Sequence, residues 1–185
     1  NKYGVPLSIL NSPQSTKFSV LEVGMDKKGE IDSLTKLIRP NLGLITNISY
    51  AHIKNFKNLN EIAKAKGEII NNIFPSGVMI INKDDKFCNY FLSRAKMRNL
   101  NIITFSKKNK LADVVYLGER KNRNKFLCKF LINGKIKFFL IPDYLIDFKE
   151  NILSTLSIIV NYFNIDALPT NLFLNFKISK SRGTI

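Results

Sequence analysis

The sequence predicts an α/β fold, a mostly parallel sheet flanked by helices with an antiparallel β-meander in the second half. Three observations carry that prediction. Up to residue 105, short β-rich runs alternate with segments of helical periodicity, the pattern of a parallel sheet covered by helices. Beyond residue 113 the helical period gives way to successive β-type runs. Two of these are separated by Asn133-Gly134, the usual signal for a type I′ hairpin turn.

Taken in order, residues 17–23 (KFSVLEV) read as the first strand. Residues 29–38 read as a helix with Ile31, Leu34, Leu37 and Ile38 on one stripe, stopped by Pro40. Residues 42–48 (LGLITNI) form a buried-type strand. Residues 59–73 form a strong helix, with Asn58 as N-cap and Glu61 three residues on. A strand at 78–82 (VMIIN), a helix at 84–97 and a strand at 101–105 follow. The meander runs through 114–117, 126–132 and 136–141, and the last helix spans 148–163. No internal repeat or low-complexity linker interrupts the chain, so residues 1–185 read as one domain. The chain starts at Asn1 without Met and stops just after Ser181-Arg182-Gly183, with nothing to cap a final element. It is expected to be cut from something longer at both ends.

Composition narrows the function classes. With 185 residues, 45% hydrophobic and 23% charged, the chain can bury a core, which argues against wholesale disorder. Lys plus Arg number 29 against 14 Asp plus Glu, giving a net charge of +15. These cations spread over the whole chain and no aromatic-plus-basic stacking motif accompanies them. Specific nucleic-acid binding is therefore not expected, while an anionic substrate is favoured. Cys88 and Cys128 cannot build a disulfide framework or a four-ligand zinc site and read as buried thiols in a reducing compartment. No apolar run approaches the roughly 18 residues that a spanning helix needs, and no signal peptide is visible.

In an open α/β sheet, ligands gather beyond the carboxyl ends of the strands. Glu22 falls near the end of the first expected strand, Asn47 closes the second, and His52, the single histidine, follows a few residues on. A carboxylate and an imidazole from neighbouring strand ends can share a divalent metal, although a lone loop histidine is more often merely exposed. Lys66 is the sharper feature. It lies four residues after Ile62 and three before Ile69, within the apolar stripe, whereas Lys64 falls on the other side with Asn60, Glu61 and Glu68. A lysine there either snorkels to water or is an amine with a lowered pKa and a chemical task. No Gly-x-x-x-x-Gly-Lys-Ser/Thr phosphate loop occurs in these residues; Gly134-Lys135 sits in the predicted hairpin turn.

Several segments, in order, carry a resemblance. They are Gly4-Val-Pro-Leu-Ser-Ile-Leu10, Leu21-Glu-Val-Gly-Met25 with Gly29-Glu-Ile31, Ile45-Thr-Asn-Ile48 with Ala51-His52, Glu61-Ile-Ala-Lys-Ala-Lys-Gly-Glu-Ile69 and Asn82-Lys-Asp-Asp85. Together they resemble the central domain of the Mur ligases, P-loop-type ATP-binding domains of cell-wall synthesis. The Gly-Met, Gly-Glu-Ile and Ala-Lys-Gly-Glu-Ile runs are most similar to the branch that joins D-alanyl-D-alanine to UDP-N-acetylmuramoyl-tripeptide. The match is loose from about residue 106 to 145 and returns near Asn151 and Arg182.

The resemblance implies an ATP-dependent ligase. ATP phosphorylates the substrate carboxylate, the incoming amine attacks the acyl phosphate, and phosphate leaves. Mg²⁺ neutralises the transferring phosphoryl group. By resemblance, the metal-binding residues are Glu22 and His52, and the active-site lysine, commonly carbamylated, is Lys66. Asn151 would recognise adenine, Arg182 would contact nucleotide phosphate or ribose, and Asn1 falls in a substrate-side loop. Ser154 replaces a second family Asn and receives no role. Asn82, Asp84 and Asp85 match a family pattern without an assigned role, and helix capping is their ordinary explanation. The whole ligase would be a cytoplasmic bacterial monomer without transmembrane segments. The alternatives are a related ligase with another substrate, such as a folylpolyglutamate or cyanophycin-type enzyme, a non-catalytic domain that lost its phosphate loop, and a nucleic-acid binder supported only by charge.

Overall fold

A computed structural model describes residues 3–50 and 55–176. The chain divides into two compact units, residues 1–103 and 104–185. The first contains α1 (Gly4–Leu10), α2 (Glu30–Ile38), β1 (Leu42–Ile45), α3 (Leu59–Lys66), β2 (Val78–Asn82), α4 (Cys88–Met97) and the first residues of β3 (Asn101–Ser106). β1 and β2 pair in parallel, Leu42 opposite Val78 and Ile45 opposite Ile81. Met79, Ile80, Ile81 and Asn82 are all buried, so β2 is covered on both faces, as a parallel strand between helices must be. Ile62, Ala63 and Ala65 of α3, Phe91 and Ala95 of α4, and Ile45, Met79 and Ile81 of the strands form one core. The predicted cap of α3 is present, since Asn58 Oδ1 accepts the Glu61 N–H at 3.0 Å. Glu61 reaches back to accept the Lys57 N–H at 2.9 Å.

The second unit takes the end of β3, which pairs in parallel with β4 (Val114–Asn122), Phe105 opposite Val114. β5 (Lys125–Ile132) and β6 (Lys135–Pro142) extend it as antiparallel strands. Asn133 and Gly134 both have positive φ, 47° and 80°, as a type I′ turn demands. Helix α5 (Lys149–Tyr162) buries Ile152, Leu153 and Leu156, and the Phe130, Phe139 and Phe173 rings, tilted and edge-to-face against one another, pack in the same unit. The α/β class with parallel pairing first and an antiparallel meander second is the one expected.

Three local expectations are corrected. Residues 17–23 form no strand. Phe18 and Val20 stay exposed there, and only Val23 and Met25 of the adjoining stretch reach the core, so the apolar run has no complete face to bury. β1 ends at Ile45 rather than residue 48. The helix predicted over 59–73 stops at Lys66 and continues as a 3₁₀ turn, Gly67–Asn72. Gly67 lies under the Tyr90 and Phe91 rings, where an added Cβ would meet both at 3.3 Å.

Candidate functional site

Lys66 is the C-terminal residue of α3, between the fully buried Ala65 and the buried Gly67. Its stem is half-buried and its Nζ donates to the carbonyl of Asn47 at 3.0 Å. Burial holds its ammonium below the ordinary lysine value of 10.5, while the negative charge of Asp85 acts in the opposite direction. The amine thus neither lies in the core unpaired nor extends freely into water. It is docked on the segment that leaves β1.

Two further side chains meet that segment. Asn82, 4% exposed at the end of β2, donates from Nδ2 to the Thr46 carbonyl at 2.9 Å. Its Oδ1 accepts the Asp84 N–H at 2.9 Å. Asp85 accepts the Ile48 N–H on Oδ2 at 2.7 Å and the Phe87 N–H on Oδ1 at 2.8 Å. These bonds shape the turn that precedes α4; the N-cap residue of α4 is Phe87, without a side-chain cap. The capping explanation for Asn82, Asp84 and Asp85 therefore does not describe them.

Glu22 is exposed on the irregular stretch before Met25, not at a strand end. Asn151 is the third residue of α5 and is exposed, while the buried Ser154 donates its hydroxyl to the Asn151 carbonyl at 2.9 Å. Asn1, His52 and Arg182 lie outside the described residues. Among the described residues no three His, Cys, Asp or Glu side chains converge as a metal site. Cys88 and Cys128 are free and buried, and burial pushes the Cys128 thiol up to about 12, so both are inert packing groups. No described helix is long and apolar enough to cross a membrane.

Glu68 is the residue that the periodicity misplaces. Grouped by spacing with the polar side of the helix, it is 8% exposed. Its carboxylate accepts the Gly29 N–H at 2.8 Å and the Asp32 N–H at 3.1 Å, capping α2 from another element. The Gly29-Glu-Ile31 and Lys66-Gly-Glu68 motifs, distant in sequence, are thus two halves of one contact. The same turn adds Asn72, whose Nδ2 donates to Asp32 Oδ1 at 2.9 Å and to the Thr35 hydroxyl at 2.9 Å.

The Mur ligase middle domain family model matches residues 1–155. A relative from Rickettsia prowazekii, a UDP-N-acetylmuramoyl-tripeptide–D-alanyl-D-alanine ligase, is 30% identical over all of this chain, which covers 41% of that protein. The Bacillus subtilis ligase of the same name is 44% identical over 46% of this chain and 19% of its own length. Among solved structures, MurF from Acinetobacter baumannii superposes with a TM-score of 0.76 at 24% identity, over 88% of this chain and 35% of that one. MurF ligase from Thermotoga maritima in complex with ADP gives 0.72 at 23% identity, over 86% and 36%. At those identities the structures show the fold. The chain spans less than half the length of these curated relatives.

Proposed function

The chain belongs to the Mur ligase family as a middle domain, and from that membership we propose that it is part of an ATP-dependent ligase of the bacterial cytoplasm. The ligase adds D-alanyl-D-alanine to UDP-N-acetylmuramoyl-tripeptide in peptidoglycan synthesis and acts as a monomer. Similarity along the whole chain to a ligase of that name supports the substrate pair. The observation that carries a catalytic reading is Lys66, a half-buried amine docked on a backbone carbonyl. Burial favours its neutral form, which CO₂ requires. Addition forms the N–C bond of a carbamate and releases one proton. In the resulting donor set, the carboxylate of Glu22 and the carbamate oxygen of Lys66 are the oxygen ligands that a hard divalent cation such as Mg²⁺ prefers, and the imidazole of His52 would add a nitrogen donor. When bound, Mg²⁺ supplies charge neutralisation for the phosphoryl group leaving ATP. Lys66 holds its oxygen in place by the packing of α3, Asn151 takes the adenine edge, Arg182 takes the nucleotide phosphate or ribose, and Asn1 lies on the substrate side.

The test is ligation by the intact protein, with UDP-N-acetylmuramoyl-tripeptide, D-alanyl-D-alanine and MgATP. One phosphate released per peptide bond formed is the expected result. Ligation of glutamate to a folate in preference to the dipeptide would replace the substrate assignment, and absence of any ligation would remove the enzymatic one.

A further inference from the structure

On three consecutive residues beyond β1, one backbone group each is met by a side chain from elsewhere. Asn82 takes the Thr46 carbonyl, Lys66 the Asn47 carbonyl and Asp85 the Ile48 N–H. Backbone polar groups beyond a strand end ordinarily find water or a turn partner. Here two carbonyls and one amide are fixed by an amide, an ammonium and a carboxylate, each matching its target in donor or acceptor sense. Ile48 is 9% exposed and belongs to the core cluster. Asn82 is more deeply buried still and uses both ends of its carboxamide, which leaves no freedom to reorient.

We propose that Asn82 and Asp85 are positioning residues for the reaction, clamping the Thr46–Asn47–Ile48 backbone and thereby fixing the carbonyl on which Lys66 is docked. This rests on the functional reading of Lys66 given above. Neither side chain touches substrate. They act through the segment that Lys66 grips. Outer partners of this kind typically change activity or metal affinity about 10–100-fold when removed.

The variants are Asp85→Leu, Asp85→Asn and Asn82→Ala in the intact protein. Asp85→Leu keeps the branched outline, with bulkier methyls in place of the two oxygens, and removes the acceptor; Asp85→Asn keeps one acceptor oxygen for Ile48. Asp85→Leu and Asn82→Ala are expected to lower kcat about 10–100-fold and to raise the Mg²⁺ concentration needed for half-maximal rate. KM for the dipeptide stays within about twofold of wild type, because the clamp does not bind the amine substrate. Asp85→Asn recovers part of the lost rate. If the rate of the folded Asp85→Leu protein and its Mg²⁺ dependence match wild type, the residues are structural only and the proposal fails. Amide exchange at Ile48 gives a reading that needs no turnover. It is expected to quicken at least about tenfold in Asp85→Leu while the amides of β2 keep their protection. Unchanged exchange at Ile48 overturns the clamp, whereas a wild-type protein that shows the clamp yet ligates nothing overturns the ligase reading, and with it the role in the reaction, while the clamp itself stands.

Discussion

Lys66 ends its helix with an ammonium that burial makes less basic and a single carbonyl makes directional. The helical spacing of Ile62, Ala63, Ile69 and Ile70 is enough to place its stem against apolar neighbours. It is not enough to find the Asn47 carbonyl, because that acceptor depends on β1 ending at Ile45, three residues before the apolar pattern does. Its lowered pKa has a consequence for stability. The unfolded chain binds the Lys66 proton more tightly than the folded one, so between the depressed value and 10.5 the unfolded state carries more protons. Stability contributed by this residue must therefore rise with pH across that window and level off above it. Urea unfolding of wild type and Lys66→Met in parallel, from about pH 7 to about pH 10, measures the difference directly. The wild-type stability should gain on the variant as pH rises. A difference that stays flat would mean the ammonium is as well hydrated folded as unfolded, and the chemical role of Lys66 would lose its physical basis.

At the scale of elements, α2 is held at its N-terminus by a carboxylate from the 3₁₀ turn after α3. A helix advances about 100° per residue and a 3₁₀ turn about 120°, so by Glu68 the change of winding has rotated the side chain about 40° from its helical position. That rotation is why helical spacing assigns Glu68 to the wrong face. The cap of α3 and the Asn133-Gly134 hairpin are legible beforehand because their chemistry is local, within three or four residues. Residues 17–23 are misread for the opposite reason: a β-rich composition makes a strand only where a neighbour and a buried face exist. Glu68→Ala should destabilise the chain by about 2–3 kcal/mol, since it removes a buried carboxylate acceptor from the Gly29 and Asp32 N–H groups at the start of α2. Glu68→Gln keeps one acceptor oxygen, at the place where Oε2 meets the Gly29 and Asp32 N–H groups, and loses the charge together with the second oxygen, for a smaller loss of about 1–2 kcal/mol. Both values can be read from denaturant midpoints at constant m-value. Equal effects of the two substitutions would show that packing, not capping, is what Glu68 provides.

On the scale of the whole molecule, five residues of the proposed machinery, Glu22, His52, Lys66, Asn82 and Asp85, fall in the first 85 residues, the stretch whose motifs carry most of the resemblance. Yet these 185 residues contain no Gly-x-x-x-x-Gly-Lys-Ser/Thr loop, whose backbone N–H groups would cradle the nucleotide phosphates. In the roles proposed for them, Asn151 and Arg182 add only an adenine contact and one cation. The 185-residue chain by itself is therefore expected to form no peptide bond and to bind MgATP more weakly than about 1 mM. The net charge of +15 complicates the measurement, because any polyanion will associate with such a surface at low ionic strength. Calorimetric titration with MgATP at about 0.15 M salt, repeated at higher salt and with GTP, separates the two effects. Non-specific attraction fades with salt and ignores the base. Saturable, adenine-selective binding in the micromolar range would mean that groups within this sequence replace the phosphate loop, and the assignment of nucleotide affinity to a Gly-rich loop would be wrong.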